Sequence, residues 1–240
     1  MLAGGLAAAG AACAPRDRET GGAAGPARPV SQDPSAPRQA PAPSARPAVA
    51  EPTVTLLGDS ITAGLGLPAD QALPRQLESA LRAIGSPARV RGAGVSGDTT
   101  AGGVARVDFS VQDDTNLCVV ALGANDMLQG VAPQQVRDNL AAIVRRLQAR
   151  GIGVLLAGMR APPRYGAYAA EFDRIFPELA KAFGVPLYPF LLEGVALEPA
   201  LNQADGIHPN AAGVRRIAAG LAPAVAAALE AADLERGGSQ

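Results

Sequence analysis

Two short segments, far apart in the chain, carry residue types able to run nucleophilic catalysis. Gly58-Asp59-Ser60-Ile61 lies directly behind an apolar run, and Asp205-Gly206-Ile207-His208-Pro209-Asn210 contains the single histidine of the 240-residue sequence. A serine hydroxyl is a weak nucleophile at neutral pH unless an imidazole takes its proton, and the imidazole works best when a carboxylate holds its other nitrogen. His208 must be that base if there is one. Asp205, three residues earlier, can orient the ring from the same loop, while Pro209 is expected to open a helix over 210–232. Separate, non-catalytic readings exist for each residue: Ser60 as a helix cap, Asp205 as a turn residue, His208 as a surface side chain ahead of proline.

The intervening pattern must bring the two segments together. Thr53 to Leu57 is a short β-branched and apolar run suited to a buried strand, and Arg89 to Val95, Leu117 to Leu122, Ile152 to Leu156 and Val185 to Tyr188 are four more strand candidates. Between them, Leu73, Leu77, Leu81 and Ile84 fall at helical spacing, as do Val136, Leu140, Ile143, Val144 and Leu147. Gly151 follows the second stripe as a helix stop. Tyr168 to Phe183 is a further helix. Near-continuous apolar strands alternating with amphipathic helices predict an α/β fold, with a parallel sheet covered on both faces. Ser60, Gly97 and Asn125 each fall just past a predicted strand. Ligands bind outside the carboxyl ends of such sheets, so the fold itself gathers these residues on one edge.

Four blocks stand in order along the chain: Gly58-Asp59-Ser60-Ile61, Ser96-Gly97-Asp98-Thr99, Gly123-Ala124-Asn125-Asp126 and Asp205-Gly206-Ile207-His208. In this order they resemble the SGNH or GDSL hydrolases, and in particular the bacterial branch of multifunctional acyl-CoA thioesterases, lysophospholipases and arylesterases. The likeness runs from about Thr53 to about Val225. It implies a three-layer α/β/α sandwich around a flavodoxin-like five-stranded parallel sheet of order 2-1-3-4-5. It also implies roles: Ser60 as nucleophile, His208 as general base and then acid, and Asp205 as the residue orienting His208. The oxyanion hole would comprise the Ser60 and Gly97 backbone N–H groups and the Asn125 side-chain amide. Donors aimed at a developing oxyanion stabilise the tetrahedral intermediate more than the ground-state carbonyl. Ile61 stands where the family motif has leucine, a change confined to packing behind the nucleophile. Gly94, in Gly92-Ala93-Gly94, is a rival for the second-block glycine; the spacing to Asp98-Thr99 favours Gly97. Asp59 is expected to brace the nucleophile turn by hydrogen bonds.

Composition narrows the alternatives. Net charge is −1, with 21 Lys+Arg against 22 Asp+Glu and no basic run after residue 52, so nucleic acid is not an expected partner. Aromatics at 3% without tryptophan argue against a stacked-ring carbohydrate platform. One histidine and two cysteines are too few for a zinc-type site, and no cofactor or metal is expected. Cys118 sits in an apolar strand and reads as a buried, inert thiol. Asp113-Asp114-Thr115-Asn116 reads as a solvated turn. Ala161 to Gly166 follows the fourth strand on the active edge, where it shapes an acyl pocket or is an ordinary loop.

The first fifty or so residues read differently. Residues 1–13 are small and mostly apolar, and Cys13 follows Gly10-Ala11-Ala12 as in a lipoprotein-type signal. Residues 14–52 are rich in Pro, Ala and Arg without periodicity, the composition of a disordered linker. Such a chain spans on the order of 35 Å, enough to hold a domain clear of a membrane. The alternative is a low-complexity tail with no role. The expected organisation is therefore signal (1–13), linker (14–52), hydrolase domain (53–233) and disordered tail (234–240).

The expected protein is an exported, periplasmic or Cys13-tethered serine hydrolase of carboxylic esters or thioesters, acting on a small-molecule acyl ester or a lysophospholipid through an acyl-enzyme. Its rivals are an O-acetyl esterase of polysaccharide and a tethered non-catalytic binding protein. Oligomeric state is not readable from the sequence.

Overall fold

The first strand, β1 (Thr53–Gly58), is buried along its whole length, as an all-apolar or β-branched run at the centre of a sheet must be. The computed structural model describes residues 51–237; the expected signal, linker and Cys13 lie outside them. After β1 the chain runs through α1 (Ser60–Ala63), α2 (Leu73–Ala83), β2 (Arg89–Gly94), α3 (Thr100–Ser110), β3 (Leu117–Ala121), α4 (Ala124–Gln129) and α5 (Pro133–Ala149). It continues through β4 (Gly153–Ala157), α6 (Ala167–Phe183), β5 (Leu187–Tyr188) and α7 (Ala211–Gly237). The five strands form one parallel sheet in the order β2-β1-β3-β4-β5, as the resemblance implied.

Helices α2 and α7 pack on each other against one face of the sheet, and α3, α5 and α6 cover the other, giving three layers. Leu73, Leu77 and Leu81 on α2 are all buried, as are Val136, Leu140, Ile143, Val144 and Leu147 on α5. Each such side chain contributes about 1.5–3 kcal/mol by leaving water. Helix α7 is long and apolar enough over Ala211–Leu234 to cross a membrane. Its Val214, Ile217, Leu221, Val225 and Leu229 are nevertheless buried, so its apolarity serves the core.

The structure departs from the sequence reading in five places. Helix α3 has no clean apolar stripe: Gly102 and Gly103 interrupt it and Arg106 is among its buried residues. Strand β5 is only two residues long, because Val185 and Pro186 run beside β4 without joining the ladder beyond the bond from Leu156 N–H to the Pro186 carbonyl. Pro209 lies outside α7; the helix begins at Ala211, and the Asn210 carboxamide caps it by accepting from the N–H groups of Ala212 and Gly213. At its other end α7 runs to Gly237, past the expected domain boundary at 233. The Asp113–Asn116 turn is only partly solvated, since the buried Thr115 hydroxyl pairs with Thr55 at 2.9 Å and the Asn116 carboxamide oxygen accepts from Thr53 N–H at 2.8 Å.

Candidate active site

Ser60 is the first residue of α1, immediately past the carboxyl end of β1. The strand-to-helix turn is tight: a Cβ on Gly58 would meet the Thr62 side chain and the Ala121 carbonyl at 2.5–2.7 Å, and Gly64 closes α1 in the left-handed conformation. Asp59 caps α1, its carboxylate accepting from Ile61 N–H at 3.0 Å, while its own carbonyl accepts from the Thr62 hydroxyl. Asp59 therefore braces the turn, as expected. Burial pushes its carboxyl up to about 6, against the opposing pull of the Ile61 N–H and of His208.

His208 arrives from 148 residues away and places Nε2 at 2.9 Å from Ser60 Oγ. Its Nδ1 lies 2.7 Å from Asp205 Oδ2. A carboxylate only accepts, so Nδ1 carries the proton and Nε2 is free to accept from the serine hydroxyl. The other oxygen of Asp205 accepts from Ile207 N–H and His208 N–H, at 2.9 and 3.0 Å. The ring hydrogen bond, then these two N–H groups, hold the Asp205 carboxyl down to about 2. Asp205 thus stays ionised, fixes the tautomer and can offset the charge of an imidazolium. The loop is anchored by a bridge between Asn202 and Pro209 and by Gln203, whose carboxamide donates to the carbonyls of Leu65 and Pro209.

The second and third blocks meet beside this pair. Gly97 adopts φ +80, open to glycine at no steric cost. Gly94 serves a different need: its Cβ would strike Ala63 N at 2.4 Å and the Asp59 carbonyl at 2.7 Å, so it lets β2 pass under the nucleophile turn. Asn125 donates one amide hydrogen to the Asp98 carbonyl at 2.8 Å, which fixes the plane of the carboxamide and leaves its second N–H unused by that bond. The neighbouring Asp126, buried, accepts from both the N–H and the hydroxyl of Thr100 at 2.8 and 2.6 Å, locking α4 to the start of α3.

Ser60 and His208 pack beside Ile61, Leu65, Leu67 and Val214, with no room for a water molecule between them. Half-exposed Leu65, Val95, Leu128 and Ile207 stand on the segments that carry the four blocks. A cavity of about 510 Å³ lies among Ile152, Val154, Val185 and Ala228 at the amino ends of β4 and β5, the edge opposite the serine, and has no nucleophile or base in its lining. Cys118 is fully buried in β3, and burial pushes its thiol up to about 12, as befits an inert side chain. The Ala161–Gly166 segment contains a short turn of 3-10 helix, and from it Tyr165, Tyr168, Phe172 and Phe176 form a file of ring contacts leading to Gly123, whose Cβ would lie 3.2 Å from Phe176. Among the described residues no group of three or more His, Cys, Asp and Glu could hold a metal ion.

Sequence reasoning missed one participant in this geometry, Arg106. A lone arginine on an irregular helix gives no signal, because two of its partners are the backbone carbonyls of Gly58 and Ala93, which carry no side-chain signature.

Residues 56–216 match the GDSL-like Lipase/Acylhydrolase family. Esterase TesA of Pseudomonas aeruginosa is 41% identical over 167 residues, covering 69% of this chain and 83% of the relative. Thioesterase 1/protease 1/lysophospholipase L1 of Escherichia coli K12 is 41% identical over 165 residues, 68% of this chain and 78% of the relative. Among solved structures, the SGNH-hydrolase family esterase AlinE4 is 47% identical, with a TM-score of 0.62 covering 74% of this chain and 96% of that one.

Proposed function

The chain belongs to the GDSL-like lipase/acylhydrolase family and is a serine hydrolase of carboxylic esters, and we propose that Ser60, His208 and Asp205 carry out its reaction. The observation that carries this reading is the unbroken hydrogen-bonded chain from Ser60 Oγ through the imidazole to Asp205, at 2.9 and 2.7 Å.

In the proposed cycle Ser60 Oγ attacks the ester carbonyl carbon while its proton passes to His208 Nε2. The carbonyl oxygen becomes an oxyanion, held by the N–H groups of Ser60 and Gly97 and by the free amide hydrogen of Asn125. The intermediate collapses as His208 returns the proton to the departing alcohol or thiol, leaving an acyl group on Ser60. Water, deprotonated by His208, then attacks the acyl carbon, and the second tetrahedral intermediate collapses as His208 returns that proton to Ser60 Oγ, releasing the acid. Asp205 balances the imidazolium in both halves and is not itself protonated.

The exposed Leu65, Val95, Leu128 and Ile207 on the segments around Ser60 support substrates with an apolar acyl chain, including aryl esters, thioesters and lysophospholipids. We also propose that the protein is exported and tethered through acylated Cys13; the small residues before this cysteine and the Pro/Ala-rich stretch after it support that reading. Incorporation of labelled palmitate, lost in Cys13→Ser, tests the tether.

Ser60→Ala tests the nucleophile. Hydrolysis of p-nitrophenyl butyrate is expected to fall roughly 10⁶-fold, with the melting transition nearly unmoved. Activity within tenfold of wild type rejects the assignment.

A further inference from the structure

We propose that Arg106 is a positioning residue that sets the geometry of the oxyanion hole. This inference rests on the reading of Ser60, Gly97 and Asn125 given above. Arg106 is 9% exposed, and its guanidinium points in three directions. Nη2 donates to the Gly58 carbonyl at 2.8 Å, Nη1 to the Ala93 carbonyl at 2.8 Å, and Nε to Asp98 Oδ2 at 2.7 Å. A further, longer contact of 3.4 Å joins Nη1 to the Ser110 hydroxyl on the same helix.

These acceptors are the ends of the segments that present the oxyanion donors. Gly58 closes β1 two residues before Ser60. Ala93 lies at the end of β2, which leads to Gly97. Asp98 follows Gly97, and its own carbonyl accepts the amide hydrogen that orients Asn125, at 2.8 Å. One guanidinium therefore reaches all three donors at one or two removes. Gly102 makes room for this arrangement: a Cβ there would sit 1.8 Å from Asp98 Oδ1. Helix α3 carries Arg106 across the outside of these strand ends, and the hydrogen bonds of Thr100 to Asp126 pin the start of that helix to the Asn125 block.

The choice of arginine follows from the geometry. Its planar fork offers five N–H donors in fixed directions, whereas a lysine ammonium offers a compact charge on a flexible stem. A buried pair such as Arg106–Asp98 loses hydration that mutual attraction only partly restores, so its value lies in fixing one arrangement more than in added stability. Displacing a reacting group by about 1 Å can cost about 100-fold in rate.

Arg106→Lys keeps the charge opposite Asp98 but loses the fork. Its kcat for p-nitrophenyl butyrate should fall about 100-fold with KM within threefold. Affinity for an alkyl boronic acid, which forms a tetrahedral adduct on serine, should weaken in parallel. Asp98→Asn, which keeps an acceptor for Nε, should show the same split with a loss of about 10-fold, and it decides the matter if the lysine variant does not fold. A folded Arg106→Lys with kcat within threefold of wild type, or a loss confined to KM with unchanged boronate affinity, overturns the inference. So does a wild-type rate in Asp98→Asn where the lysine variant cannot be made. If Ser60→Ala stays active in the same assay, the catalytic assignment fails instead.

Discussion

The Ser60 turn and the His208 loop each hold a reacting side chain beside an aspartate, one in a buried setting and the other in contact with water. Asp59 and Asp205 are both aspartates one or three residues from a reacting side chain, both accepting backbone N–H groups from just ahead in sequence. Asp59 is 1% exposed, and burial pushes it up to about 6; Asp205 sits in an exposed loop, where the His208 ring holds it down to about 2. The serine thus sits in a tight, buried turn walled by Gly58, Gly94 and Thr62 and tied by the hydrogen bonds of Asp59 to Ile61 and Thr62. The histidine is fixed by hydrogen bonds that survive in contact with water. In the proposed cycle His208 takes up and returns a proton twice per turnover, and the hydrogen bonds to Asp205 keep its carboxyl ionised throughout.

Breaking the hydrogen-bonded side of this comparison should cost most. His208→Asn is expected to lower kcat/KM by roughly 10⁴–10⁶-fold, since no second imidazole exists in the chain to take its place. Steady-state rates of a p-nitrophenyl ester read the effect; a variant retaining the wild-type rate reassigns the base. Asn125→Ala should lower kcat by roughly 10²–10³-fold with little change in KM, because the amide serves the oxyanion and not the resting carbonyl. An effect seen only in KM makes Asn125 a substrate-binding residue instead.

Much of this arrangement is legible in the sequence because short-range rules govern it. The apolar runs of β1, β3 and β4 and the stripes of α2 and α5 follow from burial on the sheet. The Asp205–His208 pair needs only a three-residue spacing. Helix α3 was not legible for the opposite reason. Its buried face carries only one sizeable apolar side chain, Val107, beside Thr100, Gly103 and Arg106, so close backbone approach at Gly103 and long-range hydrogen bonds of Arg106 stand where a hydrophobic stripe would. Strand β5 shortens at an edge position carrying Pro186, where the ladder has no partner N–H. The helix start beside Pro209 was displaced because Asn210, one residue on, supplies the better cap.

The two aspartates also make contrary predictions for stability. A carboxyl raised to about 6 favours the folded state in its protonated form, so the Asp59 contribution is full below about pH 3.8 and is lost as pH rises through about 6. Asp59→Asn, still able to accept from Ile61 N–H, should remove that slope and leave the variant more stable than wild type at pH 7 by up to about 3 kcal/mol. A carboxyl lowered to about 2 works the other way: the Asp205 contribution is present above about pH 3.8 and is lost as pH falls through about 2. Asp205→Asn should therefore flatten stability only in that acid window, and weakly, because the side chain is solvated. Thermal melts from pH 2 to 7 measure both; parallel curves for wild type and both variants would remove the contrast.

Ser60 is proposed as the nucleophile, activated by His208. A fluorophosphonate probe followed by peptide mass spectrometry tests it most directly. Stoichiometric loss of ester hydrolysis with the phosphonyl group on Ser60, and labelling slowed in parallel with turnover in His208→Asn, is the predicted result. Complete inactivation with Ser60 unmodified and the label on another residue would contradict it.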